Sequence, residues 1–400
     1  MVRNGLSIQR CKYRRSGGSD GTASVTCSLR GMDRVEKHTH VFERFTTFDN
    51  LYDGYLLARK KKRYNDNVLE YSANLEENLI DAVNQLQWKT YKPGKLNPFY
   101  EYFPKLRLIH SAPFADRVIN CAAYNVLWPI YSKSFYEHSY GCIQERGPIN
   151  AARQLQSWMR MAMRKPGKWY IGKMDVQKFF FRVPVDVQMR ELGRPLDDPD
   201  MMWFLETAIH GDGRPLGLPL DCTDVTTAER ISGIGMQVGS LISQMTANVV
   251  LTPLDHYIKR VLRAPYYCRY VDDMEIVCPS KQQAWDIIAG VDDYLREHLG
   301  LQLNDKTAVL PVGTGLEFVG YRVWPDKMEL RRSTTLQMKQ HLNFVKRHYA
   351  TGELPYSYCH SVIESYLGLM SHCNNDALRR KVLEDYVLIR HKPEPYYGQM

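Results

Sequence analysis

CRYVDDMEIVC, residues 268–278, sets two adjacent carboxylates, Asp272 and Asp273, between two short runs rich in strand-forming residues. A tight hairpin turn ordinarily favours Asn-Gly or Asp-Gly, because those residues accept a positive φ at little steric cost. This stretch has neither. Like charges at a hairpin tip repel, so the turn answers to something besides folding. Taken alone, Tyr270-Val271-Asp272-Asp273 also suits an ordinary surface turn, and a second signal has to decide.

That signal lies upstream. WYIGKMDV, residues 169–176, reads as a strand with Asp175 at the C-terminal end of an apolar run, followed by QKFFF. Carboxylates from two strand ends aimed at one spot suit a pair of hard cations. Mg2+ takes oxygen ligands, accepts few protein groups and relies on substrate phosphates for the rest. In a two-metal site the ions lie about 3.5–4 Å apart, one activating an attacking hydroxyl and the other stabilising a leaving oxygen at phosphorus. Bound cations then offset the repulsion between the aspartates.

The bulk properties bound the setting. A chain of 400 residues with 44% apolar and 12% aromatic content can build two or three packed units. No window approaches the roughly 18 apolar residues of a membrane span, and MVRNGLSIQRCKYRRSGG lacks a secretion signal's apolar core, so a cytoplasmic protein is expected. The 9 cysteines are scattered without a Cys-x-x-Cys pair, which points to reduced thiols. Cys359-His360 and His372-Cys373 do not make four metal ligands, because neighbours on a helix point about 100° apart. The net charge of +9 favours a polyanionic partner, with basic clusters at Arg10, Lys12, Arg14 and Arg15 and at Arg59 to Arg63.

Along the chain, residues 1–42 read as a basic extension with a hairpin around Gly-Gly-Ser-Asp-Gly. Helical spacing follows from Asn50 to Leu86, paired strands at 99–112, and helices at 115–131 and 149–163. After the strand at 169–176 come a helix near Val185–Leu192 and a long Gly/Pro-rich connection, 210–234. Helix is expected at 240–261, a strand pair at 267–278, helix at 281–299, and strands at 301–312 and 316–323. The last 70 residues are helical, with Ser333 and Asp376 as N-caps and Gly352 as a break. The fold class is α+β, an antiparallel sheet backed by helices.

Five stretches in order resemble the reverse transcriptases: MDVQKFF, VGSLISQMTAN (238–248), YVDD, LGLQLNDKT (299–307) and LEFVGYRV (316–323). The resemblance implies a right-hand polymerase with fingers at 43–165, palm at 166–326 and a helical thumb and tail at 327–400. It implies Asp175, Asp272 and Asp273 as catalytic, with the backbone of Val176 completing the metal ligands and Mn2+ able to replace either Mg2+. FPKLRLIHSAPFADRVIN resembles the fingers segment over the incoming nucleotide, where Lys105 and Arg107 would share a strand face toward the triphosphate. Phe180 matches the bulky side chain beneath the sugar that excludes a 2′-hydroxyl, leaving Phe179 and Phe181 to the core. Val238, Gly239, Ser243 and Gln244 match substrate-contacting positions of the second motif, and Lys306 matches a proton donor to pyrophosphate. Implied partners are a template RNA, a DNA or RNA primer and deoxynucleotides.

Among these enzymes VGSLISQ, YVDD and FVGYRVWPDKMELRRSTT are most similar to those of diversity-generating retroelements, which misincorporate opposite template adenines and act with a small basic accessory protein. Val238 stands where related enzymes carry a glutamine able to hydrogen-bond near the nascent pair. Where the family has an arginine after Tyr140-Gly141, this chain reads Cys142-Ile143-Gln144-Glu145-Arg146. The alternatives are a phage-defence or retron-like reverse transcriptase and a non-catalytic RNA-binding relative.

Overall fold

The structure, a computed structural model, describes residues 36–101, 106–222, 224–225, 229–384 and 386–390. The chain divides into Met1–Glu36 and Lys37–Met400. The basic hairpin expected near the N-terminus, the cluster at residues 10–15 and Lys105 all lie outside the described residues.

Among the described residues four helices come first: α1 (Val41–Phe45), α2 (Phe48–Ala58), α3 (Asp66–Ala73) and α4 (Leu75–Gln87). Thr47 starts α2 by accepting the Asn50 N–H at 3.3 Å, an N-cap in the ordinary sense. The hairpin β1 (Asn97–Glu101) and β2 (Arg107–Ser111) follows, then α5 (Phe114–Tyr131) and α6 (Pro148–Met163). Next come β3 (Tyr170–Asp175), α7 (Phe179–Arg182), α8 (Val185–Gly193), α9 (Pro199–His210) and α10 (Leu241–Arg260). The pair β4 (Tyr266–Tyr270) and β5 (Asp273–Cys278) leads to α11 (Lys281–Tyr294), which runs on into a π-helical turn, and to β6 (Ala308–Pro311). A small sheet of β7 (Leu316–Phe318), β8 (Tyr321–Val323) and β9 (Met328–Leu330) precedes α12 (Arg332–Ala350), α13 (Tyr356–Met370) and α14 (Asp376–Leu383).

The central sheet is antiparallel with strand order β4-β5-β3-β6. Strand side chains alternate between faces, and both faces here are covered. Met174, Met274, Ile276 and Tyr267 pack with Leu251 and Leu254 of α10 and Val291 of α11. On the other face Ile171, Val277 and Cys268 meet Leu155 and Met159 of α6 and Phe318, Val323 and Met338 beyond them. A third core joins Phe45, Leu51, Leu79 and Leu127 to Phe204 of α9. Each such fully buried side chain contributes about 1.5–3 kcal/mol.

The sequence expectation fails in four places. Helix α9 was not expected; Asp198 caps it, accepting the Met201 N–H at 3.0 Å, and Pro199 occupies its first turn. The strand expected at 301–312 shrinks to Ala308–Pro311, because Asn304 folds the chain into a turn with Thr307 N–H on its carbonyl at 3.0 Å. The strand expected at 316–323 is a hairpin, broken at Val319-Gly320 with φ of 43° and 88°. Ser333 lies inside α12, whose N-cap is Arg331, and Asp376 is the first residue of α14, where its charge complements the helix N-terminus.

Candidate active site

The antiparallel register of β3 and β5 sets Asp175 directly opposite Asp273, and that of β4 and β5 sets Tyr270 opposite Asp273. Val271 and Asp272 form the two-residue turn beyond. Two further backbone bonds tie this end of the sheet together: Val176 N–H donates to the Asp272 carbonyl at 3.4 Å, and Asn304 N–H to the Asp175 carbonyl at 2.7 Å. The Asn304 amide also donates to Asp175 Oδ2 at 3.2 Å. Three carboxylates therefore meet at one sheet end, each partly open to solvent.

A buried brace stands behind the turn. The Arg269 guanidinium, fully buried, donates from Nη1 to the Val271 carbonyl at 2.8 Å and to Asn248 Oδ1 at 3.2 Å. Its Nε and Nη2 grip the two Asp255 oxygens at 2.8 and 2.6 Å, and the Tyr267 hydroxyl donates to the same carboxylate at 2.6 Å. Burial alone would lower the Arg269 pKa, but the Asp255 charge outweighs it and the net shift is upward. Asn248 in turn donates to the Gly141 carbonyl at 2.9 Å. Gly141 is required by closeness, since a Cβ there would stand 2.4 Å from the Val271 nitrogen.

Below the aspartates, on the same face, Lys173 pairs in register with Glu275. Glu275 is fully buried and neither carboxylate oxygen has a hydrogen-bond partner. Lys173 Nζ is 4.0 Å away and spends its hydrogen bond on the Glu317 carbonyl at 2.7 Å. Burial drives the Glu275 pKa well up; Lys173 opposes this, and the charges of Asp273 and Asp175 add to it.

The remaining expected positions are placed as follows. Phe180 is half-buried in α7, edge-on to the fully buried Phe179 at 5.6 Å. Phe181 is not a core residue as expected: its ring lies 5.3 Å beneath the Arg230 guanidinium and is partly exposed. Val238 and Gly239 form the turn ahead of α10, with Gly239 at φ 96°, and Ser243 and Gln244 sit partly buried in the first turns of that helix. Gln237 Nε2 donates to the His110 carbonyl of β2 at 2.8 Å, which joins this turn to the β1–β2 hairpin. Arg107 opens β2 opposite Glu101. Lys306 is exposed in a turn rather than on a strand, two residues past Asn304. Arg146 supports the backbone, donating to the carbonyls of Tyr136 at 2.9 Å and Ser139 at 3.3 Å.

Sequence reasoning missed Asp255, Asn248, Arg269 and Glu275. Two of them left a trace: Asp255 is a lone charge in the apolar run VVLTPLDHYI, and Glu275 interrupts an otherwise apolar strand. The donors at the sheet end are all hard oxygens, which fits Mg2+ or Mn2+ and not a soft metal. Among the described residues no three His, Cys, Asp or Glu side chains form a ready-made metal cage. No described helix is long and apolar enough to cross a membrane.

Residues 92–323, more than half of the chain, match the family model described as reverse transcriptase (RNA-dependent DNA polymerase). Protein YkfC of Escherichia coli (strain K12) is 25% identical over 276 residues, covering 60% of this chain and 70% of its own length. Among solved structures, telomerase from Candida albicans in complex with a fragment of telomeric RNA aligns at 14% identity with a TM-score of 0.42, covering 74% of this chain and 54% of its own. A partial Cas6-RT-Cas1--Cas2 complex aligns at 20% identity and a TM-score of 0.37, covering 64% of this chain and 42% of its own.

Proposed function

We propose that this chain, which belongs to the reverse transcriptase (RNA-dependent DNA polymerase) family, polymerises deoxynucleotides on an RNA template with Asp175, Asp272 and Asp273 at its reacting centre. The observation that carries the reading is the register that sets Asp175 opposite Asp273 with Asp272 in the adjoining turn. Asp175, Asp272 and the Val176 carbonyl would hold two Mg2+, with Asp273 beside them. When bound, such cations supply charge neutralisation for the attacking and leaving oxygens of an in-line displacement.

The protein's own part is positioning. Arg269, Asn248 and Asp255 hold the Val271 carbonyl, and through it the turn that presents Asp272. Asn304 orients Asp175. Phe180, half-buried in α7, fills the place where a 2′-hydroxyl would project, and Lys105 and Arg107 meet the triphosphate. Gln237 ties that hairpin to the second motif, so Val238, Gly239, Ser243 and Gln244 line the nascent pair. Lys306, exposed in its turn, is free to reach the leaving pyrophosphate. The basic run Arg59–Arg63 follows template phosphates, and α12 to α14 serve as the thumb.

Val238 supports the narrower reading of a retroelement enzyme that copies template adenines loosely. No side-chain amide stands at that position, and the neighbouring Gln237 amide is committed to His110. Losing one or two ordinary hydrogen bonds of pair checking raises error by about one to two decades. Sequenced products with low error at every base would favour the defence reading instead.

The decisive test is primer extension on RNA with Mg2+. Asp272→Asn should lower synthesis by about three decades or more while RNA binding and the thermal unfolding profile stay near the parent's. Appreciable synthesis by the folded variant overturns the assignment.

A further inference from the structure

The connection between α9 and α10 wraps the short segment that carries Phe180. Four-residue α7 cannot hold its own conformation, since a single helical turn fixes many dihedrals for one hydrogen bond. The connection supplies what the helix lacks. Met236 N–H donates to the Phe180 carbonyl at 2.7 Å, Leu218 N–H to the Phe181 carbonyl at 3.0 Å and Gly235 N–H to the Val183 carbonyl at 2.8 Å. Gly217 and Ile231 exchange two backbone bonds, at 3.0 and 2.9 Å, which close the connection into a loop.

Two arginines fasten it from opposite sides. Arg182, 5% exposed at the end of α7, donates from Nη2 to the carbonyls of Leu220 at 2.8 Å and Cys222 at 3.3 Å, and from Nη1 to the Gln177 side chain. From the connection, Arg230 donates to the Val225 carbonyl at 2.8 Å and covers the Phe181 ring. The carbonyls of Phe180, Phe181 and Val183 are thus all fixed by chain more than thirty residues away in sequence.

We propose that this connection is a clamp on the sugar gate, and that Arg182 and Arg230 are positioning residues which set the choice between deoxyribo- and ribonucleotides. The inference rests on the reading of Phe180 as the residue beneath the sugar. A ring excludes one hydroxyl only if its backbone is held to a fraction of an ångström, and a loosened ring admits the larger sugar.

The experiment measures kcat/KM for dGTP and for GTP opposite template cytosine, and takes their ratio. The ratio is independent of the fraction of folded enzyme, so a variant that is merely less stable leaves it unchanged. Arg230→Ala and Arg182→Gln should each lower the ratio about three- to tenfold, against about a hundredfold for Phe180→Val. Arg230→Lys, which keeps a cation over the ring, should recover most of the loss. If Phe180→Val collapses the ratio while both arginine variants retain the parent's, the clamp is overturned and the gate stands. If Phe180→Val leaves the ratio unchanged, the gate reading falls and takes the clamp with it.

Discussion

Among the described residues two hairpins turn on a valine in the left-handed region, and they are held in opposite ways. Between β4 and β5 the residue is Val271, φ 57°; between β7 and β8 it is Val319, φ 43°. A β-branched residue there costs about 1–2 kcal/mol. At β7–β8 the remedy is local: Gly320 follows at φ 88°, so both central residues are positive as a two-residue hairpin prefers, and its carbonyl accepts Arg331 N–H at 3.1 Å. At β4–β5 an aspartate follows, and the remedy comes from α10, from Gly141 and from the strand residue Arg269. A turn that serves only the fold carries its own chemistry, whereas the turn that presents Asp272 draws its support from elsewhere in the chain.

Breaking the remote brace should therefore cost far more than disturbing the local one. Arg269→Gln leaves the Asp255 carboxylate buried without its counter-charge, an expected loss of about 3–5 kcal/mol. Gly320→Ala, which puts a Cβ on the φ of 88° that the other turn relies on, should cost about 1–2 kcal/mol. Urea denaturation of both variants decides the matter. Similar losses would end the contrast.

The next effect concerns charge under the Asp272 turn. The folded-state pKa of Glu275 lies well above its ordinary value of 4.5, so above that pH the native state keeps a proton that the unfolded chain has shed. Stability accordingly falls as pH rises from 4.5 toward the folded value. Glu275→Gln should gain about 1–3 kcal/mol at neutral pH and flatten the decline, measured by thermal melts in EDTA from acid to alkaline buffer. An identical pH slope in the variant would show that the carboxyl finds a partner in solution.

Legibility divides along the same line. Where residues near in sequence decide the outcome, the sequence reading holds: strands around Asp175 and Asp273, α10 after Ser240, the helix ending near Gly352. Local chemistry was misjudged where Asn304 made a turn and Gly320 split a strand. Of the brace only the lone charge of Asp255 showed in the sequence, and its partners did not, because Asp255, Asn248 and Gly141 meet Arg269 or Val271 only once the sheet and α10 are packed. Polar residues scattered across a chain announce no periodicity.

The smallest expected effect is the most discriminating. Val271→Gly and Val319→Gly each relieve left-handed strain, less the entropy of a new glycine, for a net gain of about 0.5–1 kcal/mol. Only Val271→Gly should also slow primer extension, since the turn it loosens carries Asp272. Equal slowing in both would mean that the two hairpins serve the same end.

The register of the central sheet also bears on how the protein is made. β3 lies between β5 and β6, and Asp175 finds its partner Asp273 about a hundred residues later in the chain. At translation rates of about 5–20 residues per second, β3 leaves the ribosome some 5–20 s before the strand that pairs with it. During that interval both its edges are open to any other extended segment, the condition under which nascent chains misassociate. The two aspartates cannot meet until residue 273 has been made, and the sheet cannot close until β6 follows at residues 308–311. A stall or truncation before residue 273 would therefore release a polypeptide in which Asp175 lacks the strand that pairs with it.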